Sequence, residues 1–410
     1  MITQADIKRL DDTDPIGSYR DLFDLPESVI YLDGNSLGAL PRSVAPAIEQ
    51  LIHSEWRKDL IKSWNVHNWI DLPVSVGEKI APIIGAGKGQ VICADSTSVN
   101  LYKLLISALR LRNDRTEILS TSDNFPTDLY LAEAAVEIFG DGTKTLRCVD
   151  SSDLFNSINQ NTAVLLLTQV NFRDGSYCDI KALTQAAHDV GALVIWDLSH
   201  SAGVMPLSLD DDNVDFAVGC GYKYLNGGPG APSFLYINKN RQNQVNQPLS
   251  GWLGHESPFN FDKSYRPAPG VLQYQCGTPG LLSMRALDAA LDVYHNLDIN
   301  LNRQKSMALT DLFVSLIDSS NLGFELISSR ASSNRGSQVS YLHDQGYAII
   351  QALISRGVIG DYRDPKIMRF RFAPLYNSYK DVFDAVEILN EIMRDKTYLR
   401  SEHQLRKGVT

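Results

Sequence analysis

The chain has no run of about 18 apolar residues, so nothing in it reads as a bilayer-spanning helix. Cysteine is scarce and scattered. The five residues Cys93, Cys148, Cys178, Cys220 and Cys276 never fall at C-x-x-C spacing, which excludes a disulfide framework and a zinc site and fits a reducing compartment. Basic residues are outnumbered, 38 Lys and Arg against 48 Asp and Glu, for a formal charge of −10. A broad surface for nucleic acid or an anionic membrane needs clustered cations, so the expected partner is a small molecule. Low-complexity tracts and internal repeats are missing, and Met1 to Asp14 alternates charge without the apolar core of a signal peptide. The chain is read as soluble and cytoplasmic.

With 410 residues, 44% hydrophobic and 21% charged, the chain has ordinary globular composition and is too long for one core, so two domains are expected. Ile30 to Leu32 reads as a short strand that breaks at Asp33-Gly34-Asn35-Ser36-Leu37-Gly38, and a helix is expected from Pro41 to about Lys58. Another helical stretch follows Pro73. Beyond it, strands at Val91 to Ala94, Thr116 to Ser120, Ala163 to Val170 and Leu193 to Trp196 alternate with helical periodicity at Val99 to Arg110, Leu129 to Ile138 and Ile180 to Val190. Apolar strands between amphipathic helices mean an α/β fold with a mostly parallel sheet flanked by helices. A connector helix begins near Ser283, and Tyr347 to Arg356, Ile367 to Phe372 and Asp381 to Arg394 alternate helix, strand and helix in a smaller α+β unit. The expected plan is an N-terminal segment, 1–59, packing with the small domain, a large α/β domain, 60–282, and a C-terminal small domain, 283–410.

Ile195 to Gly203 is an apolar strand ending in Asp197, and the carboxyl ends of parallel strands are where open α/β folds bind ligands. Taken alone, Asp197 is as readily a turn cap. Twenty-six residues on, Lys223 lies in a Gly-rich stretch, Gly219 to Gly230, that is poor in charge and permits close approach of a ligand to the backbone. Together they suit pyridoxal 5′-phosphate, which needs a lysine amine for its Schiff base and a carboxylate to keep its pyridine nitrogen protonated. Phosphate needs N–H groups at a helix start. Ala94 to Asn100, with Ser96, Thr97 and Ser98 between strand and helix, offers them, though an ordinary N-cap reads the same way. Phe125, in Asp123-Asn124-Phe125-Pro126-Thr127-Asp128, is an aromatic placed to stack on a flat ring, or a plain core residue.

These residues, in this order, resemble the fold-type I, aspartate-aminotransferase-like superfamily of pyridoxal-phosphate enzymes, and in detail the kynureninase family over nearly the whole chain. The match rests on Tyr31 to Gly38, the Trp64 segment Ser63 to Pro73, Asp197 to His200, Gly221 to Gly230, and Arg369 to Asn377. The resemblance implies that Lys223 carries the cofactor, Asp197 contacts the pyridine nitrogen and His200 supports the ring. It implies that Thr97, Ser98 and Tyr222 hold the phosphate, that Phe125 covers the ring with Asp128 nearby, and that Thr168 is a further contact. Trp252 and Thr278 match residues given by a partner subunit, so a homodimer with shared active sites is expected. Arg369 matches the arginine that grips the amino-acid carboxylate; Arg371, on the same strand face, is a departure and leaves open which arginine does so. Ser36 and Trp64 match positions near the substrate's aromatic end.

The implied activity is that of a hydrolase cleaving a carbon–carbon bond in a ketonic substrate: L-kynurenine, or 3-hydroxy-L-kynurenine, gives anthranilate, or 3-hydroxyanthranilate, and L-alanine, in tryptophan degradation or NAD biosynthesis. Lys223 would move the Cα proton and Tyr222 would return one to Cβ. An aminotransferase would use the same lysine and aspartate. A cysteine desulfurase-like lyase needs a cysteine well beyond the lysine and usually a histidine before it, whereas no cysteine follows Cys276 and Tyr222 holds the preceding place. A non-catalytic regulator of this fold would show an added DNA-binding domain or a lost lysine. Borohydride treatment of the purified, yellow protein is expected to fix the cofactor on Lys223; a peptide map that finds it on another lysine overturns the assignment.

Overall fold

The computed structural model describes residues 2–139 and 142–406. The chain divides into two compact units, one formed by Met1–Arg42, Phe172–Tyr177 and Val293–Thr410, the other by Ser43–Asn171 and Cys178–Asp292.

The second, larger unit is built on seven strands in the order Val91–Ala94, Ser233–Ile237, Phe216–Cys220, Leu193–Asp197, Thr162–Thr168, Glu117–Thr121, Thr145–Val149. Ser233–Ile237 runs antiparallel to both neighbours and the remaining contacts are parallel, which is the mostly parallel sheet expected. The central strands are apolar without alternation, because helices cover both faces and every side chain is buried. The helix Thr97–Leu111 shows how they do so: Leu101, Leu104, Leu105, Ala108 and Leu109 form one buried stripe, and Ser96 caps its start by accepting from the Val99 N–H at 3.4 Å. Asp179 caps Ile180–Asp189 in the same manner, and Pro126 occupies the first turn of Pro126–Ile138, where its missing N–H costs nothing.

The units divide at 42/43 and 292/293. Val44–Gln50 packs on Leu281–Ala290, with Val44, Ala289 and Ala290 in one apolar cluster and the Ser43 hydroxyl donating to the Ala289 carbonyl at 2.8 Å. Both helices therefore belong to the larger unit. The single helix expected from Pro41 to Lys58 is instead an α-helix, Val44–Gln50, that widens into a π-helical segment, Leu51–Asp59, and stops at Leu60 with φ of 52°.

The smaller unit has a four-stranded antiparallel sheet in the order Asp361–Arg363, Ile367–Arg371, Gln338–Leu342, Glu325–Leu326. Helices Ile299–Ser320, Gly346–Ser355 and Tyr379–Arg394 supply its core: Phe313 meets Phe370 and Phe372 with ring centroids 4.8 and 5.4 Å apart, among Leu309, Ile349, Leu353, Met368, Val382 and Leu389. The N-terminal segment joins this unit through Ile30–Tyr31, parallel to Val358–Ile359, and through buried Lys305 paired with Asp14 at 2.7 Å. Among the described residues, no helix is long and apolar enough to cross a membrane.

Gly77, in Leu72–Ile80, lets that helix lie directly on Val91–Ala94: a Cβ there would sit 2.4 Å from the Val91 carbonyl oxygen and 2.9 Å from the Ile92 Cα. Backbone cannot give way as a side-chain tip can. Gly77→Ala is expected to cost about 1–3 kcal/mol, lowering the urea midpoint at constant slope. An unchanged midpoint would contradict this packing.

Candidate active site

Parallel strands end at one edge of the larger sheet, and their register decides which side chains meet there. Thr168 is the cross-strand partner of Asp197, and Asp197 that of Val218, two residues before Cys220. Asp197 is 4% exposed, and its Oδ1 accepts from the Ser199 N–H at 2.7 Å, which orients the carboxylate and leaves Oδ2 free of that bond. Asp128, 2% exposed on Pro126–Ile138, lies within hydrogen-bonding reach of Asp197 and accepts from the Thr168 hydroxyl at 3.4 Å. Burial lifts the Asp128 carboxyl well above the ordinary carboxylate range, the neighbouring Asp197 adds to the rise, and the Lys223 ammonium opposes it.

Lys223 follows directly on Phe216–Cys220, in a loop whose glycines are required by space. A Cβ on Gly221 would meet the Pro232 carbonyl oxygen at 2.5 Å, and Gly228 and Gly230 take φ of 80° and 75°. The Lys223 ammonium stands 5.9 Å from the centroid of the Tyr222 ring. Burial, with Cys220 and Asp197 adding, holds the Tyr222 phenol far above its usual value, so it is a hydroxyl at neutral pH. His200 is buried on the turn that leaves Asp197.

Asn124 organises the neighbouring loop, a role the residue pattern did not reveal. Its Oδ1 accepts from the Thr168 hydroxyl at 2.6 Å and from the Phe125 N–H at 2.7 Å, and its amide donates to Ser120 Oγ at 3.0 Å. Phe125 is thereby held with its ring 39% exposed, which a core phenylalanine would not be. Thr97 and Ser98 open their helix half-buried, next to Asp95 at φ of 47°, whose carboxylate pairs with fully buried Lys103 at 2.5 Å. A cavity of about 200 Å³ adjoins this helix start, lined by Ala94, Asp95, Gly230, Cys276 and Thr278. Trp252 lies at the surface, stacked on Phe261 at 6.4 Å. Trp64 is half-buried with its ring edge-to-face on Trp69 at 6.0 Å.

In the smaller unit, Arg369 and Arg371 are each 1% exposed on one face of Ile367–Arg371. Asp361 lies opposite Arg369 in the register, and its Oδ2 takes Arg369 Nη2 together with Arg371 Nη1, the latter at 3.0 Å. Burial works to raise the Asp361 carboxyl, but Arg371, Arg369 and Arg363 outweigh it and the group ends below its ordinary range. Arg371 is tied inward: Nη1 also donates to Asp33 Oδ1 and Ser36 Oγ, both at 2.7 Å, and Nε to Gln338 Oε1 at 3.1 Å. Arg369 gives Nη1 to the Phe172 carbonyl at 2.6 Å, while its buried Nε–H has no partner among the described residues. Burial, with Arg371 adding, pushes the Arg369 guanidinium down to about 9, so it remains a cation at neutral pH.

The expected residues thus fall into groups. Asp128, Thr168, Asp197, Tyr222 and Lys223 interact at the sheet edge, and Ser36 meets Arg371 in the smaller unit. Asn124, Asp33, Asp361 and Gln338 complete these groups; Asp33 and Asn124 fall within stretches singled out in the sequence but without a role of their own, and Asp361 and Gln338 carried no signal beyond polarity. A pyridoxal-phosphate ring fits the larger unit's set: an amine on a glycine-permissive loop, an oriented buried carboxylate in reach of it, an exposed aromatic face on Phe125, and a capped helix start bordered by open space.

Three comparisons bear on this geometry. Residues 302–389 match the family model described as the kynureninase C-terminal domain. Over its full length the chain is 46% identical to the kynureninase of Pseudomonas fluorescens and 45% identical to that of Burkholderia pseudomallei, each covered completely. Among solved structures it is similar to the cysteine desulfurase of Thermococcus onnurineus, with TM-score 0.77 and 19% identity over 92% of this chain and 98% of that one. The cysteine desulfurase CsdA of Escherichia coli gives TM-score 0.75, with the same identity and coverage. These two likenesses establish the shared fold.

The raised Asp128 carboxyl has a consequence for stability. A folded-state pKa above the unfolded value means that the native protein is penalised at neutral pH and relieved as pH falls through the carboxylate range. In the cofactor-free protein, Asp128→Asn is expected to raise the urea midpoint at neutral pH, with the gain shrinking towards pH 4. A gain that does not change with pH would separate the effect from titration.

Proposed function

The chain belongs to the kynureninase family, and from that premise we propose that it hydrolyses L-kynurenine to anthranilate and L-alanine with pyridoxal 5′-phosphate, on a fold-type I scaffold, within tryptophan catabolism. The observation that carries the proposal is the cluster at the sheet edge, in which Lys223, Asp197 and Asp128 lie together in a family member matched over its whole length.

When bound, pyridoxal phosphate supplies an electron sink for the bonds broken at the substrate's Cα and then Cβ. Lys223 would hold the cofactor and move the substrate's Cα proton. Asp197, turned by the Ser199 N–H, would keep the pyridine nitrogen protonated, with His200 from the same turn as a further contact. Asp128, its carboxyl raised by burial and by Asp197, would lie beside the counter-charge that Asp197 supplies. Thr168 and Phe125, both fixed by Asn124, bound the ring's face, while Thr97, Ser98 and Tyr222 hold the phosphate against the helix start. Tyr222 is kept as a phenol by burial and so has a proton to give to Cβ after cleavage, general acid help worth about 10²- to 10⁴-fold. Water adds to the side-chain ketone before the carbon–carbon bond breaks.

Arg369 takes the substrate carboxylate, which the unpartnered Nε–H supports, since Arg371 has committed its Nε and Nη1 to Gln338, Asp33, Ser36 and Asp361. Ser36 and Trp64 serve the aromatic end. Trp252 and Thr278 complete the site of a second copy in a homodimer, a reading supported by the exposed apolar surface of Trp252, Phe259 and Phe261. Five free cysteines suit a cytoplasmic setting.

Mixing the purified holoenzyme with L-kynurenine should release anthranilate, followed by its fluorescence, and alanine in equal amounts. A parallel assay with 3-hydroxy-L-kynurenine sets the preference, and turnover that requires an added keto acid would make the protein an aminotransferase. Arg369→Lys is expected to lower kcat/KM at least about 30-fold with cofactor content intact, because an ammonium cannot keep the bonds to Phe172 and Asp361 and also offer a donor in place of Nε–H. Greater damage from Arg371→Lys would transfer the anchoring role.

A further inference from the structure

Glu55 is a carboxylate 3% exposed in the larger unit, and no step above employs it. It lies in the π-helical segment Leu51–Asp59, and the chain returns to it twice: the Ser63 hydroxyl donates to the Glu55 carbonyl at 2.6 Å, and the Trp69 indole N–H donates to Oε2 at 2.6 Å. Gln50 reaches Oε1 at 3.4 Å. The cationic neighbour, Arg285 on Leu281–Ala290, stands off at 3.6 Å and keeps a buried Nε–H without a partner among the described residues.

A buried charge is costly unless paired, and a loose ion pair with a guanidinium that gives Nη1 to Asp288 at 3.0 Å is poor compensation. If Glu55 served packing alone, an apolar side chain would do as well. What the charge provides is a short, directional bond to one indole. Trp69 is itself buried and meets the Trp64 ring at 80°, an edge-to-face contact through which the tilt of one ring restricts the other. Trp64 has its remaining surface open.

We propose that Glu55 is a positioning residue for the substrate's arylamine ring: by fixing Trp69 it fixes Trp64, which then offers a preset flat face instead of a mobile one. This rests on the reading of Trp64 as the aromatic-end residue. The link acts on binding, since a rotating indole must be ordered each time substrate enters.

The test uses the holoenzyme and L-kynurenine, with KM, kcat, cofactor absorbance and melting temperature measured for each variant. Glu55→Leu and Trp69→Phe, which cut the same bond from opposite ends, are each expected to raise KM about tenfold with a smaller change in kcat and full cofactor content. Their combination should be no worse than either alone. Glu55→Gln, which retains an acceptor oxygen for the indole, should recover most of the loss, and should Glu55→Leu fail to fold, Trp69→Phe carries the test. Wild-type KM in Trp69→Phe, while Trp64→Ala raises KM, overturns the positioning role and leaves Trp64 in place. Wild-type KM in Trp64→Ala instead removes the reading beneath it. Losses confined to melting temperature or cofactor content would make Glu55 structural only.

Discussion

The larger unit depends on keeping one carboxylate charged at the buried end of a strand. An uncompensated carboxylate is costly there, and the structure meets that cost locally: a backbone N–H from the next turn binds one oxygen, and burial raises the second carboxyl nearby well above the ordinary range. The lysine follows the adjacent strand, Phe216–Cys220, on a loop in which Gly221 leaves no room for a Cβ. A one-residue slip between Thr162–Thr168 and Leu193–Asp197 would turn Asp197 to the opposite face of the sheet. Sheet register and cofactor chemistry are therefore one constraint.

The smaller unit solves the inverse problem, holding two arginines inside a protein. Asp361 is shared between them because pairing across the strands puts it opposite Arg369 while Arg371 projects on the same face two residues later. Sharing one acceptor leaves the two cations unequal: Arg371 turns to Asp33 and Ser36, and Arg369 retains an unused donor.

Much of this was readable from residue order. The apolar strands and their helices, the strand-end Asp197 and the Lys223 loop stood out because burial on both faces and glycine-dependent turns leave strong local patterns. Phe216–Cys220 and Ser233–Ile237 did not, since glycine, cysteine and serine interrupt their apolar runs, and Ile299–Ser320 was hidden by a polar face that becomes buried in the fold. Asn124, Glu55 and Asp361 were invisible for another reason. Their significance is a partner far away in sequence, such as Thr168 for Asn124, and no local spacing encodes such a pairing. The early end of the helix near Gln50 was likewise masked, because the composition of Leu51–Asp59 remains helical while its hydrogen bonding widens.

The smaller unit is assembled from three stretches, the first near the N-terminus and the last ending the chain, with Phe172–Tyr177 borrowed from between two strands of the larger sheet. During synthesis the larger unit is complete once Asp292 has left the ribosome, and it can fold at that point. The N-terminal segment cannot: Ile30–Tyr31 waits for Val358–Ile359, and Asp14 for Lys305. For the time taken to translate the last third of the chain, those early residues are an unpaired strand and a set of unmatched charges. The nascent protein thus passes through a stage with one unit folded and the other awaiting its final residues, during which a chaperone holding the N-terminal segment would have most to protect.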